Sequence, residues 1–297
     1  MPEFSSILAL FGLGIIIGAV SPTFGIGGGL LTVPVLLLIF GQKNGFSGDT
    51  ATATSLGVIL FTSLSGTIAY LRERRIDYRT AASFMLFAIP GSVAGALFSR
   101  WMGAKDFSVD PFQYTFAVFM IAIALYKLVS ILAFKRGNTA GPDRTDPSAE
   151  GTAANSRRWD RHVRLEDKRG QIFEYRVRLF PGIFIAFIGG FIGALLGLGG
   201  GVIYVPVLTM VMGVPAAVAT ATSTFTILVA NPFAIALRFG SVRWEWVAAL
   251  AAGTVISAGI VPRFLHRVKS EWILTGFWGL AIFAALRILL KMSGVLI

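Results

Sequence analysis

Gly25-Ile26-Gly27-Gly28-Gly29-Leu30-Leu31-Thr32-Val33-Pro34-Val35-Leu36 returns later in the chain as Gly197-Leu198-Gly199-Gly200-Gly201-Val202-Ile203-Tyr204-Val205-Pro206-Val207-Leu208. Each copy lies inside a long apolar run and holds four glycines within five residues. Glycine costs about 1 kcal/mol relative to alanine in a helix interior. Two such clusters predict a broken helix in each half of the chain. Aligned without a gap, 25–41 matches 197–213 at nine of seventeen positions. A second motif follows in the same order: Ala51-Thr52-Ala53-Thr54-Ser55 recurs as Ala219-Thr220-Ala221-Thr222-Ser223. Two motifs repeated in one order indicate an internal duplication.

The surroundings of these motifs set the class. The 297 residues are 55% hydrophobic and 14% charged, and the mean hydropathy is +0.74. A soluble domain carries roughly a quarter charged residues. The apolar residues come in runs long enough for a hydrocarbon core about 30 Å thick. The chain reads as an all-α polytopic membrane protein.

The apolar segments fall at roughly 7–24, 29–40, 51–71, 80–100 and 112–134, then at 181–197, 201–213, 216–238, 244–262 and 272–290. The organisation is a first transmembrane repeat over 1–134, a basic cytoplasmic linker over 135–178, and a second repeat over 179–297. With five segments per half, the second half enters from the opposite side, so the repeats have inverted topology. That parity holds whether the first two segments of each half span fully or dip in as a hairpin. Inverted repeats with helices broken at corresponding places are the architecture of many secondary transporters.

Basic residues orient the chain. Arg72, Arg74, Arg75 and Arg79 follow the third segment, eleven basic residues lie between Lys135 and Arg178, and Arg263, Arg267 and Lys269 follow the ninth. Alternate crossings put all three groups on one face, the cytoplasmic one by the positive-inside rule. Both termini then lie on the periplasmic side. Met1 to Ser6 carries no basic residue ahead of its apolar run, so it does not read as a cleaved signal peptide. The net charge of +11 belongs to loops that meet anionic lipid headgroups, not nucleic acid. Within the linker, Arg136 to Ser156 is flexible in composition. Val163, Leu165, Ile172, Phe173, Tyr175, Val177 and Leu179 flank Lys168-Arg169-Gly170 as in a β-hairpin, and a stretch that coats lipid headgroups fits equally well.

Catalytic chemistry has little to work with. Cysteine is absent, which excludes disulfides, thiolate metal sites and cysteine nucleophiles. The two histidines, His162 and His266, sit in basic polar stretches as solvated side chains. No nucleophile–base or metal set is visible, so neither an enzyme nor a bound cofactor or metal is expected. Position 30 is Leu30, which breaks a dinucleotide fingerprint, and no GK[ST] ending marks a phosphate loop.

The glycine breaks themselves can bind an anion. A short helix of about twelve residues is expected after each, with free amides and partial positive charge at its start. Glycine lets a ligand approach the backbone closely. Gly25, Gly27, Gly28 and Gly29, with Gly197, Gly199, Gly200 and Gly201, are therefore candidate substrate-binding residues. Close helix packing is the alternative use of such glycines. Thr52, Thr54, Ser55, Thr220, Thr222 and Ser223 offer hydroxyls to ligand oxygens, or to neighbouring helices. Asn231, beside Pro232 in the eighth segment, is a further candidate ligand. Asp49 reads as a helix N-cap. Lys127, Arg238, Arg287 and Glu245 read as side chains that snorkel to the interface. No carboxylate suits a proton relay, and an inside-negative potential drives an anion outward by about 2.3 kcal/mol per charge per 100 mV.

These doubled motifs resemble those of the TauE/SafE sulfite exporter family. The resemblance implies a bacterial inner-membrane transporter of sulfite, sulfoacetate, thiosulfate or related organic anions. Its partners would be the small anionic substrate and the lipid bilayer, and a homodimer is compatible with it. A carboxylate exporter, or a sensor working through the linker, are the competing readings.

Overall fold

The computed structural model describes residues 4–24, 27–37, 47–103, 115, 118–119 and 160–260. The fifth and tenth apolar segments, and the linker up to residue 159, lie almost wholly outside these. The described chain is mostly helical. Helix α1 is Phe4–Phe24, α2 Gly29–Val35, α3 Gly48–Glu73 and α4 Tyr78–Gly103. Strands β1, Asp160–Glu166, and β2, Ile172–Arg178, precede α5, Leu179–Leu195. Helix α6, Gly201–Pro206, runs into a π-helical turn at Val207–Val211, and α7, Ala216–Leu237, and α8, Trp244–Ile260, follow. Among the described residues three helices, α3, α4 and α7, are long and apolar enough to cross a membrane.

The polarity of the molecule is that of a protein solvated by lipid. Leu8, Leu86, Phe180, Phe184 and Met210 are all more than half exposed, while Thr32, Thr52, Thr54, Ser55, Thr222, Ser223 and Asn231 are buried. Apolar side chains face outward because lipid offers them no penalty. Hydroxyls turn inward because only protein partners can satisfy them at that depth.

Two helix pairs flank the centre. Helix α1 packs along α8, and α4 along α5, so each half's first long helix lies against the fourth apolar segment of the other half. Glycine makes both contacts possible. A Cβ on Gly14 or Gly18 would run into the carbonyls of Leu250 or Thr254, and one on Gly91 or Gly95 into those of Phe187 or Phe191. Backbones at that distance gain van der Waals contact, which is what associates helices in lipid. Between the pairs α3 and α7 lie against each other and are the more enclosed helices.

One detail repeats between the halves. Thr54 Oγ1 accepts the amide of Arg243 at 3.1 Å, just ahead of α8. Thr222 Oγ1 accepts the amide of Asp77 at 3.2 Å, just ahead of α4. The same threonine of each pentapeptide thus satisfies an orphan donor at the start of a helix.

The N-cap of α3 is Ser47, whose side chain accepts from Thr50 N at 3.2 Å, not Asp49 as the sequence suggests. Asp49 lies in the first turn, where a carboxylate complements the helix dipole, and it is held there by Arg238 at 2.7 Å. The short helices after the glycine breaks also differ from expectation. Their α-helical parts hold 7 and 6 residues, because Pro34 and Pro206 supply no N–H to continue the ladder and a wider turn follows. In the second copy that turn is closed by Met212 N on Val207 O at 3.0 Å.

Strands β1 and β2 form an antiparallel hairpin in register from Asp160↔Arg178 to Glu166↔Ile172. Asp167 builds its turn, accepting Arg169 N at 2.7 Å and Gln171 N at 3.0 Å. The hairpin is clamped to the end of α3 and the start of α4. Arg75 binds Asp167 through Nε and Nη2, Lys168 N donates to Glu73 O, and Arg161 Nη2 reaches both oxygens of Asp77 at 2.8 Å. Tyr175 donates its hydroxyl to Asp77 Oδ2 at 3.1 Å.

Burial pushes the Asp77 carboxyl up, but hydrogen bonds from Thr80 and the Arg161 charge outweigh it and hold it below its ordinary value. The Arg75 hydrogen bond holds Asp167 low as well, against a smaller effect of desolvation. A depressed carboxyl stabilises above its unfolded value, about pH 4, and loses that contribution as pH falls through the folded one. Acid should therefore release the hairpin. Amide exchange over 160–178, corrected for its intrinsic pH dependence, should show protection at neutral pH that fades below about pH 4. Unchanged protection in acid would rule the two clamps out as the hairpin's anchor.

Candidate functional site

The two glycine breaks adopt one backbone conformation. Gly28 has φ 87° and ψ −17°, and Gly200 φ 83° and ψ −16°, left-handed values that L side chains rarely adopt. Each ends on the same bond: Thr32 N donates to Gly28 O at 3.1 Å and Tyr204 N to Gly200 O at 2.9 Å. Leu31 N and Ile203 N also bond back to Gly28 O and Gly200 O, at 3.2 and 3.0 Å. Only the first two amides of each helix therefore precede its intrahelical bonds and point out of its start.

The tertiary structure brings the breaks into contact. A Cβ on Gly29 would run into the Gly197 carbonyl and stand 2.8 Å from Leu198 Cα. The side chain of Ile59, on α3, lies between the two: Cβ atoms built on Gly27 and Gly199 would be 3.2 and 2.9 Å from its Cγ2. From α3, Ser55 donates its hydroxyl to Gly197 O at 2.7 Å. From α7, Asn231 presents Nδ2 beside Gly199, 3.3 Å from where a Cβ would stand.

Asn231 is 2% exposed, and its Nδ2 has no hydrogen-bond partner among the described residues. Ser21 Oγ, on α1 beside Gly28, is buried and unpartnered too. An unsatisfied buried polar group costs about 1–3 kcal/mol, so two of them beside the breaks identify a place where a polar ligand would be stabilised.

The remaining candidates separate by position. Gly27, Gly28, Gly29, Gly197, Gly199, Gly200, Gly201, Ser55 and Asn231 gather at the centre, and Ser223 is fully buried on α7. Gly25 lies outside the described residues. Thr52 and Thr54 lie towards the Asp49 end, where Thr52 Oγ1 accepts from Arg238 Nη2 at 2.6 Å. Thr222 lies towards the hairpin, on the Asp77 amide, and Thr220 bonds back to Ala216 O at 2.8 Å. Most of the pentapeptide hydroxyls therefore already serve protein partners.

Arg238 departs most from the sequence reading. It does not snorkel: it is 2% exposed, and it joins Asp49, Thr52 and the Ala194 carbonyl. Its place beside Leu237 at a segment end hid it, since an arginine there usually reaches water. Ser21 left no signal, being one serine in an apolar run. No group of His, Asp and Glu that could hold a metal occurs among the described residues.

Comparison with known proteins decides the family. The family model for Sulfite exporter TauE/SafE matches residues 10–288. The chain belongs to the TauE/SafE family. Among its relatives, the probable membrane transporter protein YunE of Bacillus subtilis strain 168 is 32% identical over 253 residues, 84% of each chain. The probable membrane transporter protein MJ0441 of Methanocaldococcus jannaschii is 27% identical over 212 residues, 70% of this chain and 64% of that one. No solved structure matches. This TauE/SafE protein is thus a membrane transporter and not an enzyme, as its motifs indicate.

Proposed function

We propose that this protein exports small sulfur-containing anions, sulfite or organosulfonates such as sulfoacetate, across a bacterial inner membrane. One observation carries the location of the site: the two glycine breaks abut each other beside the unpartnered amide of Asn231. The anion would lie between the breaks, with Asn231 Nδ2, the Ser21 hydroxyl and the first amides after Gly28 and Gly200 as donors. The amides only donate and the Ser21 hydroxyl can donate as well as accept, so an anion is favoured over a cation.

Alternating access of two inverted five-segment repeats is the mechanism we infer. It is supported by the matching break conformations, by the Thr54 and Thr222 contacts with opposite halves, and by the crosswise pairing of α1 with α8 and α4 with α5. Since Gly29 abuts Gly197 and Leu198, passage of an anion at this level requires the halves to part. The hairpin and the three basic groups are read as cytoplasmic, and the Asp49–Arg238 end as periplasmic.

Labelled sulfite and sulfoacetate loaded into proteoliposomes should leave through the protein, faster with a potential negative inside. A parallel set loaded with acetate and malonate separates sulfonate from carboxylate export. Folded protein that moves no sulfur oxyanion would remove the substrate assignment.

A further inference from the structure

Arg238 leaves half of its fork unused in its pair with Asp49, as Arg161 does with Asp77 at the hairpin. The Arg161 side chain is 25% exposed, however, and that of Arg238 is 1%. Arg75 binds Asp167 with two donors of its fork, Nε at 3.2 Å and Nη2 at 2.9 Å. Arg238 meets Asp49 Oδ1 through Nη2 alone, at 2.7 Å. The same Nη2 also bonds the Asp49 carbonyl at 2.7 Å and Thr52 Oγ1 at 2.6 Å, while Nη1 reaches the Ala194 carbonyl at 3.2 Å. Nε, buried, has no partner among the described residues. Nε and Nη2 form the side-on fork that grips two oxygens of one oxyanion. In this state one carboxylate oxygen occupies half of it.

The position is as telling as the geometry. The Arg238 side chain is 1% exposed and that of Asp49 20%, so the carboxylate is the outer partner and the guanidinium lies behind it. A buried guanidinium costs several kcal/mol of desolvation, and stability alone is served as well by an apolar residue. Arg238 also ties together α3 through Asp49 and Thr52, α5 through Ala194, and α7. Ala194 comes three residues before Gly197, and Ser55, which bonds Gly197 O, comes one turn after Thr52.

We propose that Arg238 is a second anion-binding site of the transporter, between the glycine breaks and the end opposite the hairpin, and that Asp49 occupies it by competition. The transported oxyanion takes Nε and Nη2 together and displaces the Asp49 carboxylate. That releases the contact between α3 and α7. As the anion leaves, Asp49 returns and closes the path behind it. The ligand class is a small oxyanion with two oxygens on one centre, a sulfonate, sulfite or carboxylate. The proposal rests on the transport reading above and adds the residue that relays the anion.

Full-length protein in nanodiscs, with sulfite and sulfoacetate as the probes, tests it. Asp49→Asn removes the competitor and should tighten binding about tenfold while slowing release, so that KM and kcat fall together. Arg238→Gln should weaken binding about tenfold or more, and Arg238→Lys, which keeps the charge without the fork, should weaken it too. The double variant Asp49→Asn/Arg238→Gln carries no unpaired charge, stays folded, and should bind as poorly as Arg238→Gln. If Asp49→Asn leaves Kd unchanged, or the folded double variant binds like the wild type, Arg238 is only a structural tie. If the wild type itself binds and moves no such anion, the transport reading fails first.

Discussion

Replacing Gly197 with alanine should deplete folded protein more than a methyl added at any other described glycine. Two costs coincide there. Gly197 has φ 70°, where an L residue loses about 1–2 kcal/mol. Its Cβ would stand 2.5 Å from Thr52 O and 2.7 Å from Thr52 Cα, and overpacking of that kind adds about 1–3 kcal/mol. The obstructing atoms are backbone of α3 and cannot rotate away. A loss of about 2–5 kcal/mol is a large part of the 5–15 kcal/mol that holds a typical domain together. The comparison variant is Gly12→Ala, where a Cβ meets nothing within 4 Å and helix propensity favours alanine. Thermal denaturation in detergent should lower the midpoint for Gly197→Ala and leave it unchanged or raised for Gly12→Ala. Equal midpoints would mean that the second break does not lie against α3 as described.

Asn231→Leu should separate transport from stability with opposite signs. Leucine has a similar volume, and Nδ2 has no partner among the described residues to lose, so removing a buried unsatisfied amide is neutral or stabilising. If that amide is a ligand of the anion, flux should fall about 10- to 100-fold, the worth of one hydrogen bond to a charged group. Asn231→Asp should do worse, placing a negative oxygen where the anion must lie. Wild-type flux in Asn231→Leu, or a loss of flux that merely tracks loss of folded protein, would put the site elsewhere. Alanine at Gly28 or Gly200 is a poorer probe. A Cβ on Gly28 would be 3.0 Å from Ile17 Cγ2, and one on Gly200 2.6 Å from Tyr204 Cζ, both at positive φ, so folding and binding would fail together.

Several elements were legible because the signal is local. The glycine breaks show as clusters that no helix interior tolerates cheaply, and helices α3, α4 and α7 as apolar runs of spanning length. The hairpin shows as alternation around Lys168-Arg169-Gly170. The cap of α3 was misread for an equally local reason: Ser47 and Asp49 both have oxygens that can accept an orphan amide, and Asp49 was drawn instead to a residue 189 positions away. Arg238 resembled a snorkelling arginine because burial is not written in its neighbours.

From sequence alone came the membrane class, the doubled motif and the family, since composition, repetition and glycine conformation are properties of short stretches. Tertiary structure alone decided that Gly29 meets Gly197 and that Ser55 and Asn231 reach the second break. It also decided which hydroxyls are already engaged, and that Asp49 pairs with the buried Arg238. These are contacts between residues far apart in the chain. They depend on how α3 and α7 pack against each other, and interhelical packing in lipid follows from the fit of whole helix surfaces, which no single stretch encodes.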